Sequence, residues 1–189
     1  MRIIVGISGA SGAIYGYRLV RALAERQVEA HLIISPWAKE TIMLELGIDY
    51  EEICQMAACC YDFKNLAGAI SSGSFLTDGM VIAPCSMKTL AGIAHGYDDN
   101  LLIRAASVTL KEQRKLILVT RETPLTPVYL ENMLTLARMG VVIMPPVPAF
   151  YNKPSSVEEI VDHSIGRILD HFKIKHDLVR RWCSDQIRG

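Results

Sequence analysis

Hydrophobic positions along this chain fall into two alternating patterns. Short continuous apolar runs bounded by turn residues occur at 2–8, 30–34, 79–83, 115–120 and 141–144, and they read as buried strands. Between them, apolar residues return every three or four positions, the spacing of a helix with one buried face. That spacing predicts helices at 14–25, 37–46, 50–59, 101–112, 128–139 and 157–172. Strands without polar alternation are covered on both faces, which in a strand–helix alternation means a parallel sheet between two helix layers. No repeat, linker or low-complexity run interrupts the pattern. We expect one doubly wound α/β domain over residues 1–189, Rossmann- or flavodoxin-like.

Ligands of such folds sit beyond the carboxyl ends of the strands. The residues at those ends are Ser8 to Ser11, Ser35, Cys85 to Thr89, Arg121 with Glu122, and Tyr151. The first is the most informative, because Gly6, Gly9 and Gly12 space a turn between a strand and a helix. Backbone N–H groups in such a turn can face an anion. The spacing is not the dinucleotide G-x-G-x-x-G, since Ser8 stands where a glycine is needed. The second strand ends in Ser35, where a dinucleotide enzyme places an acid for the ribose, and no phosphate-loop G-x-x-x-x-G-K-[ST] exists. A mononucleotide such as FMN fits better than NAD or ATP.

Composition changes the picture in three ways. The formal charge is zero, so no electrostatic footprint for nucleic acid or an anionic membrane is present. Half the residues are hydrophobic and mean hydropathy is +0.23, which on a 189-residue chain points to buried subunit contacts and a homo-oligomer. The five cysteines form no C-x-x-C pair and have no histidine at metal-ligand spacing, so they are expected as reduced thiols of a cytoplasmic protein. Met1-Arg2 leads directly into a strand and no apolar run reaches ~18 residues, so neither a signal peptide nor a membrane span is expected.

A second set of anion-binding groups, Arg104, Lys111, Arg121, Arg167 and Tyr151, falls on or beside the later strand ends. An arginine that can bind phosphate next to a carboxylate that can move a proton makes Arg121-Glu122 the sharper pair. Taken singly, each arginine reads as a surface ion pair and Tyr151 as a core-edge aromatic. His95 and His163 have no evident partner and read as solvated or core-edge residues. Cys85 lacks a histidine base and reads as packing. Ser8, Ser11 and Ser86 lack a G-x-S-x-G elbow, which argues against a hydrolase. Met87 suits the floor of a flavin ring and a core position equally.

Several motifs together resemble the UbiX-like flavin prenyltransferase family, whose members were formerly called phenylacrylic acid decarboxylases. They are Gly6-Ile-Ser-Gly-Ala-Ser-Gly12, Ser71-Ser-Gly-Ser74, Pro84-Cys-Ser-Met-Lys-Thr89, Arg104-Ala-Ala106, Leu110-Lys-Glu112, Arg121-Glu-Thr-Pro124, Leu130-Glu-Asn-Met133, Pro145-Pro-Val-Pro-Ala-Phe-Tyr151 and Arg180-Arg-Trp182. They span nearly the whole chain. Trp37-Ala38 and the Ser71 to Ser74 motif look most like members associated with aromatic (hydroxyarylic) acid decarboxylases.

The resemblance implies metal-independent transfer of the dimethylallyl group of dimethylallyl phosphate to N5 and then C6 of reduced FMN. The prenylated FMN would pass to a UbiD-like decarboxylase. It implies that Gly9, Ala10, Ser11, Ser35, Ser86, Met87, Lys88, Thr89 and Arg121 bind FMN. Ser72, Arg104, Lys111, Arg121, Tyr151 and Arg167 would surround the prenyl phosphate, with Trp182 facing the allylic cation. Glu122 is implied as acid/base, with Glu45, Ser11 and Arg121 beside the chemistry. The family forms homododecamers with sites at subunit junctions. Two other readings share the fold: an FMN-binding accessory subunit of a decarboxylase, and a flavoprotein of the cysteine-decarboxylase type. The latter needs a histidine early in the chain, and none precedes His31.

Overall fold

A computed structural model describes residues 1–179 and 181. Arg180 and Trp182, both part of the resemblance, lie outside the described residues. Six parallel strands form one sheet: β1 Arg2–Ile7, β2 Glu29–Ile34, β3 Cys59–Tyr61, β4 Gly79–Cys85, β5 Lys115–Thr120 and β6 Val142–Ile143. Their order is β3-β2-β1-β4-β5-β6. The chain winds one way from β1 to β3 and the other way from β4 to β6. The reversal leaves a crevice above the carboxyl ends of β1 and β4.

The helices are α1 Ala13–Glu25, α2 Pro36–Leu46, α3 Tyr50–Met56, α4 Met87–Ala94, α5 Leu101–Lys111, α6 Pro127–Arg138 and α7 Val157–His171. Their starts follow from local chemistry. Ser35 caps α2 by accepting the Ala38 N–H, with Pro36 in the first turn, where its missing donor costs nothing. Ser86, Asn100, Thr126 and Ser156 cap α4, α5, α6 and α7 in the same way. The chain divides into two compact units, Met1–Pro146 with the sheet and α1 to α6, and Val147–Gly189 with α7.

In the first unit, Ile4, Ile82, Leu116 and Leu118 of the sheet join Leu90, Ile93, Leu102, Ala106 and Leu136 of α4, α5 and α6 in one apolar cluster. Met87 is part of it, so the core position, of the two open to that side chain, is the one it takes. In the second unit, the chain reverses after α7 through Lys173, at φ 57°. His176 and Val179 then close on Gly166, where a Cβ would fall 2.8 Å from His176 Cε1.

Three expectations are corrected. The helix expected at 50–59 stops at Met56, and Cys59–Tyr61 instead pair with His31, Leu32 and Ile33 as an edge strand. Between 83 and 101, where the sequence pattern predicts no helix, a two-turn one, α4, follows Ser86. Cys54 and Cys60 are paired as a disulfide across the α3–β3 turn, Cα to Cα 5.4 Å, so these two are not the separate thiols expected. Among the described residues no helix is long and apolar enough to cross a membrane.

Candidate functional site

At the switch point of the first unit lies a cleft of about 440 Å³. Ser8 and Gly9 from the end of β1, Ser35 with Trp37 from β2–α2, and Ser86, Lys88 and Thr89 from β4–α4 line it. Phe63, Asp99, Asn100 and Ile103 close the far side. Ser8 is structural as well as lining: its Oγ donates to the Pro84 carbonyl and accepts the Ser86 N–H, both at 2.8 Å, which locks the ends of β1 and β4 together. Gly9 is required by close approach, because a Cβ there would fall 2.5 Å from Trp37 Cβ. The first turn of α2 therefore packs directly on the glycine turn.

The N-termini of α2 and α4 both open toward this cleft, and their free N–H groups suit a phosphate. Hydroxyls of Ser35, Ser86 and Thr89 suit a sugar or ribityl chain. Trp37 and Phe63 offer flat apolar surface. The cleft thus fits a mononucleotide with an aromatic ring. Ala10 and Met87, also expected at the flavin, are buried residues flanking the cleft and not among those lining it. Sequence reasoning missed Phe63, Asp99, Asn100 and Ile103, which come from segments with no anion-binding signature.

The glycine turn itself is not an open anion cradle. Glu45, from the last turn of α2, accepts the Gly12 N–H at 2.9 Å and the Ala13 N–H at 2.8 Å, and also bonds the Ser11 side chain. Burial alone would push this carboxyl up. The bonds from Ser11, Ala13 and Gly12, together with the charge of Arg121, outweigh that and hold it below the ordinary carboxylate range. Ser11, Glu45 and Arg121 are therefore one electrostatic group. Arg121 Nε is buried without a hydrogen-bond partner, a donor left for an acceptor that the protein does not supply. Glu122 is exposed, and its Oε1 accepts the Thr123 N–H at 3.1 Å.

The groups expected around a prenyl phosphate do not all meet within one chain. Lys111 precedes β5 and Arg121 follows it, so roughly 20 Å of strand separates them. Of the two, only Arg121 is at the carboxyl end of a strand, which leaves Lys111 away from the cleft of its own chain. Lys111 Nζ pairs with Glu112 Oε1 at 2.7 Å. Arg104 reaches Asp98 Oδ2 at 3.1 Å and the Ser71 carbonyl at 3.3 Å. Ser72 Oγ lies 2.9 Å from Ser74 Oγ on an exposed loop. That loop is held by Arg114, which donates to the carbonyls of Gly73 and Phe75.

In the second unit, Tyr151 hydroxyl and His163 Nε2 are 3.0 Å apart, so His163 is not the isolated residue its sequence context suggests. Arg167 Nη1 lies 3.4 Å from Asp170 Oδ2. Asp170 also takes Arg181 at 2.8 and 3.2 Å and His176 at 3.1 Å. Burial pushes the Cys85 thiol up, away from the reactive thiolate, in keeping with packing.

The sequence profile of the Flavoprotein family matches residues 1–170. The chain is 55% identical over 182 residues to a probable UbiX-like flavin prenyltransferase of Bacillus subtilis (strain 168), covering 96% of this chain and 89% of that protein. A crystal structure of a dodecameric FMN-dependent UbiX-like decarboxylase from Escherichia coli O157:H7 superposes with a TM-score of 0.95 at 52% identity, over 97% of this chain and all of that one. AnUbiX (PadA1), crystallised with FMN and dimethylallyl pyrophosphate, matches with a TM-score of 0.95 at 46% identity over 97% of each chain. A mononucleotide cleft at the switch point, a buried arginine lacking an acceptor and near-complete similarity at half identity converge: this chain belongs to the Flavoprotein family and, within it, to the UbiX-like flavin prenyltransferases.

Proposed function

We propose that the chain joins the dimethylallyl group of dimethylallyl phosphate to N5 and C6 of reduced FMN, releasing phosphate and giving prenylated FMN. The observation that carries this reading is the group formed by Ser11, Glu45 and the unpartnered Arg121 Nε beside a hydroxyl-lined mononucleotide cleft. A protein that only binds flavin has no need of a carboxylate held ionised next to an unfilled arginine. When bound, reduced flavin supplies the nucleophilic nitrogen and the ring carbon.

The residues then divide the work. Gly9, Ser35, Ser86, Lys88 and Thr89 hold the mononucleotide, with Ala10 and Met87 packed behind them. Arg121 bridges toward the prenyl phosphate, and Glu45, held ionised, accepts the Ser11 hydrogen bond and is placed to take up a proton beside the reacting centre. Glu122 serves as the acid/base for the departing phosphate. Tyr151, Arg167, Lys111, Arg104 and Ser72 neutralise the leaving group by charge and hydrogen bonding. Trp182 is assigned to the face of the allylic cation.

Because β5 separates Lys111 from Arg121, Lys111 is read as serving the site of a neighbouring copy. Trp37, 77% exposed, with Met43 and Leu44 on α2 and Val128, Leu130 and Leu134 on α6, supplies apolar surface for such neighbours. A dodecamer like that of the Escherichia coli relative, a cytoplasmic location and hand-over of the product to a UbiD-like decarboxylase complete the proposal. The test is anaerobic incubation of the protein with reduced FMN and either dimethylallyl phosphate or dimethylallyl pyrophosphate. Bound FMN gaining one five-carbon unit is expected. Bound FMN of unchanged mass with both donors overturns the reading.

A further inference from the structure

Tyr151 and Arg167 are each met by a second side chain of α7 that the prenyl-transfer reading does not use. His163, Arg167 and Asp170 stand at i, i+4 and i+7, which is one stripe of a helix. At its upstream end, His163 Nε2 lies 3.0 Å from the Tyr151 hydroxyl, with the two rings edge to face at 5.8 Å. At its downstream end, Asp170 Oδ2 lies 3.4 Å from Arg167 Nη1. We propose that His163 and Asp170 are positioning residues for phosphate binding, one aiming the Tyr151 hydroxyl and the other the Arg167 guanidinium.

The arrangement is built in a way that an incidental surface pair is not. Asp170 is itself fixed by three further bonds. Arg181 grips both of its oxygens, and His176, its side chain only 1% exposed, donates from Nε2 to Oδ1. The donor assignment follows from the other ring nitrogen, which accepts the Leu178 N–H at 3.2 Å. His176 in turn rests on Gly166, where no larger residue fits. The carboxylate that Arg167 meets is therefore held in place by groups other than Arg167. Burial, and then the nearby Arg167 charge, push the His163 imidazole down, which favours the neutral ring that can pair with a tyrosine hydroxyl.

A long arginine on a helix surface samples many rotamers, and an exposed i,i+3 ion pair adds little stability. What such a pair can do is restrict the guanidinium before a dianion arrives, so that less freedom is lost on binding. The effect belongs in the affinity for the prenyl phosphate. It does not belong in flavin binding or in the rate of the bound complex.

This inference rests on the prenyl-transfer reading, and two outcomes separate them: an inactive wild-type protein fails that reading, whereas the inference is judged only on an active one. Asp170→Asn is expected to raise KM for dimethylallyl phosphate about tenfold, the loss typical of a charged hydrogen bond, with kcat and the FMN dissociation constant within about twofold. In an Arg167→Met background the same substitution should add less than about twofold. His163→Phe should behave likewise, and lose its effect in a Tyr151→Phe background. Arg181→Gln removes one of the two groups that fix Asp170 but keeps its carboxylate, so it should raise KM by less than Asp170→Asn does and have no effect in the Arg167→Met background. An unchanged KM in Asp170→Asn, an effect that persists without Arg167, or an equal rise in Arg181→Gln would overturn the role of Asp170. Where Asp170→Asn does not fold, the His163 and Tyr151 pair decides the proposal alone.

Discussion

Glu45 accepts the Gly12 N–H at 2.9 Å, and this one bond changes what the glycine turn is for. The helix N-terminus that sequence offers to a phosphate is already occupied by a carboxylate of the same chain. An ionised side chain at that point is worth about 1 kcal/mol to a helix start. It also sets an ionised carboxylate between the Ser11 side chain and the charge of Arg121.

Glu45→Gln keeps the shape of this cap and removes its charge. Thermal melting should stay close to wild type and FMN should still bind, while prenyl transfer falls about a hundredfold, the scale of a lost acid/base group. Wild-type turnover in this variant would leave Glu45 as a cap alone.

Glu122→Gln tests the other carboxylate. Glu122 is exposed and bonded only to its own loop among the described contacts, so the fold should be indifferent to it. FMN affinity is expected within about twofold of wild type and single-turnover prenyl transfer slowed at least about tenfold. Fluorescence titration and rapid quench measure the two separately.

Gly9→Ala places a methyl 2.5 Å from Trp37 Cβ, so α2 must shift. Overpacking of this kind costs about 1–3 kcal/mol. Because Ser35 and Trp37 move with α2, FMN affinity should fall in parallel with the melting temperature. A stable variant that no longer binds FMN is equally consistent with the cleft assignment; normal binding is not.

Asp170 is held down to about 2, first by its bond with Arg181 and then by His176. Its folded value lies below the unfolded one of about 3.9. The stability it contributes is therefore complete above about pH 4 and is lost as pH falls toward 2. Urea midpoints between pH 5 and 2.5 should fall more steeply for wild type than for Asp170→Asn.

Much of this architecture is readable from apolar runs, since β1, β2, β4 and β5 are buried along nearly their whole length and cannot be anything else. β3 escapes that logic. Half-covered Cys59 and Tyr61, with an exposed Cys60 between them, become a strand only because β2 offers an unpaired edge. In the site, Ser35, Ser86 and Thr89 are legible as hydroxyls at strand ends. Phe63 and Asp99 are not, because nothing local marks a residue that reaches the cleft from a distant segment. His163 reads as solitary in the sequence because its partner, Tyr151, sits twelve residues upstream on the approach to its helix. Glu45 carries no signal of its own, its partners lying more than thirty residues away.

The length of β5 has a genetic consequence. Lys111 lies at one end of that strand and Arg121 at the other; with Lys111 serving a neighbouring copy, as proposed, lesions in the two residues fall on different members of each junction. Co-expressed Lys111→Ala and Arg121→Ala chains, each inactive alone, would form some junctions that draw the intact lysine from one parent and the intact arginine from the other. Partial complementation between two dead alleles is the outcome, in a fixed fraction set by random mixing.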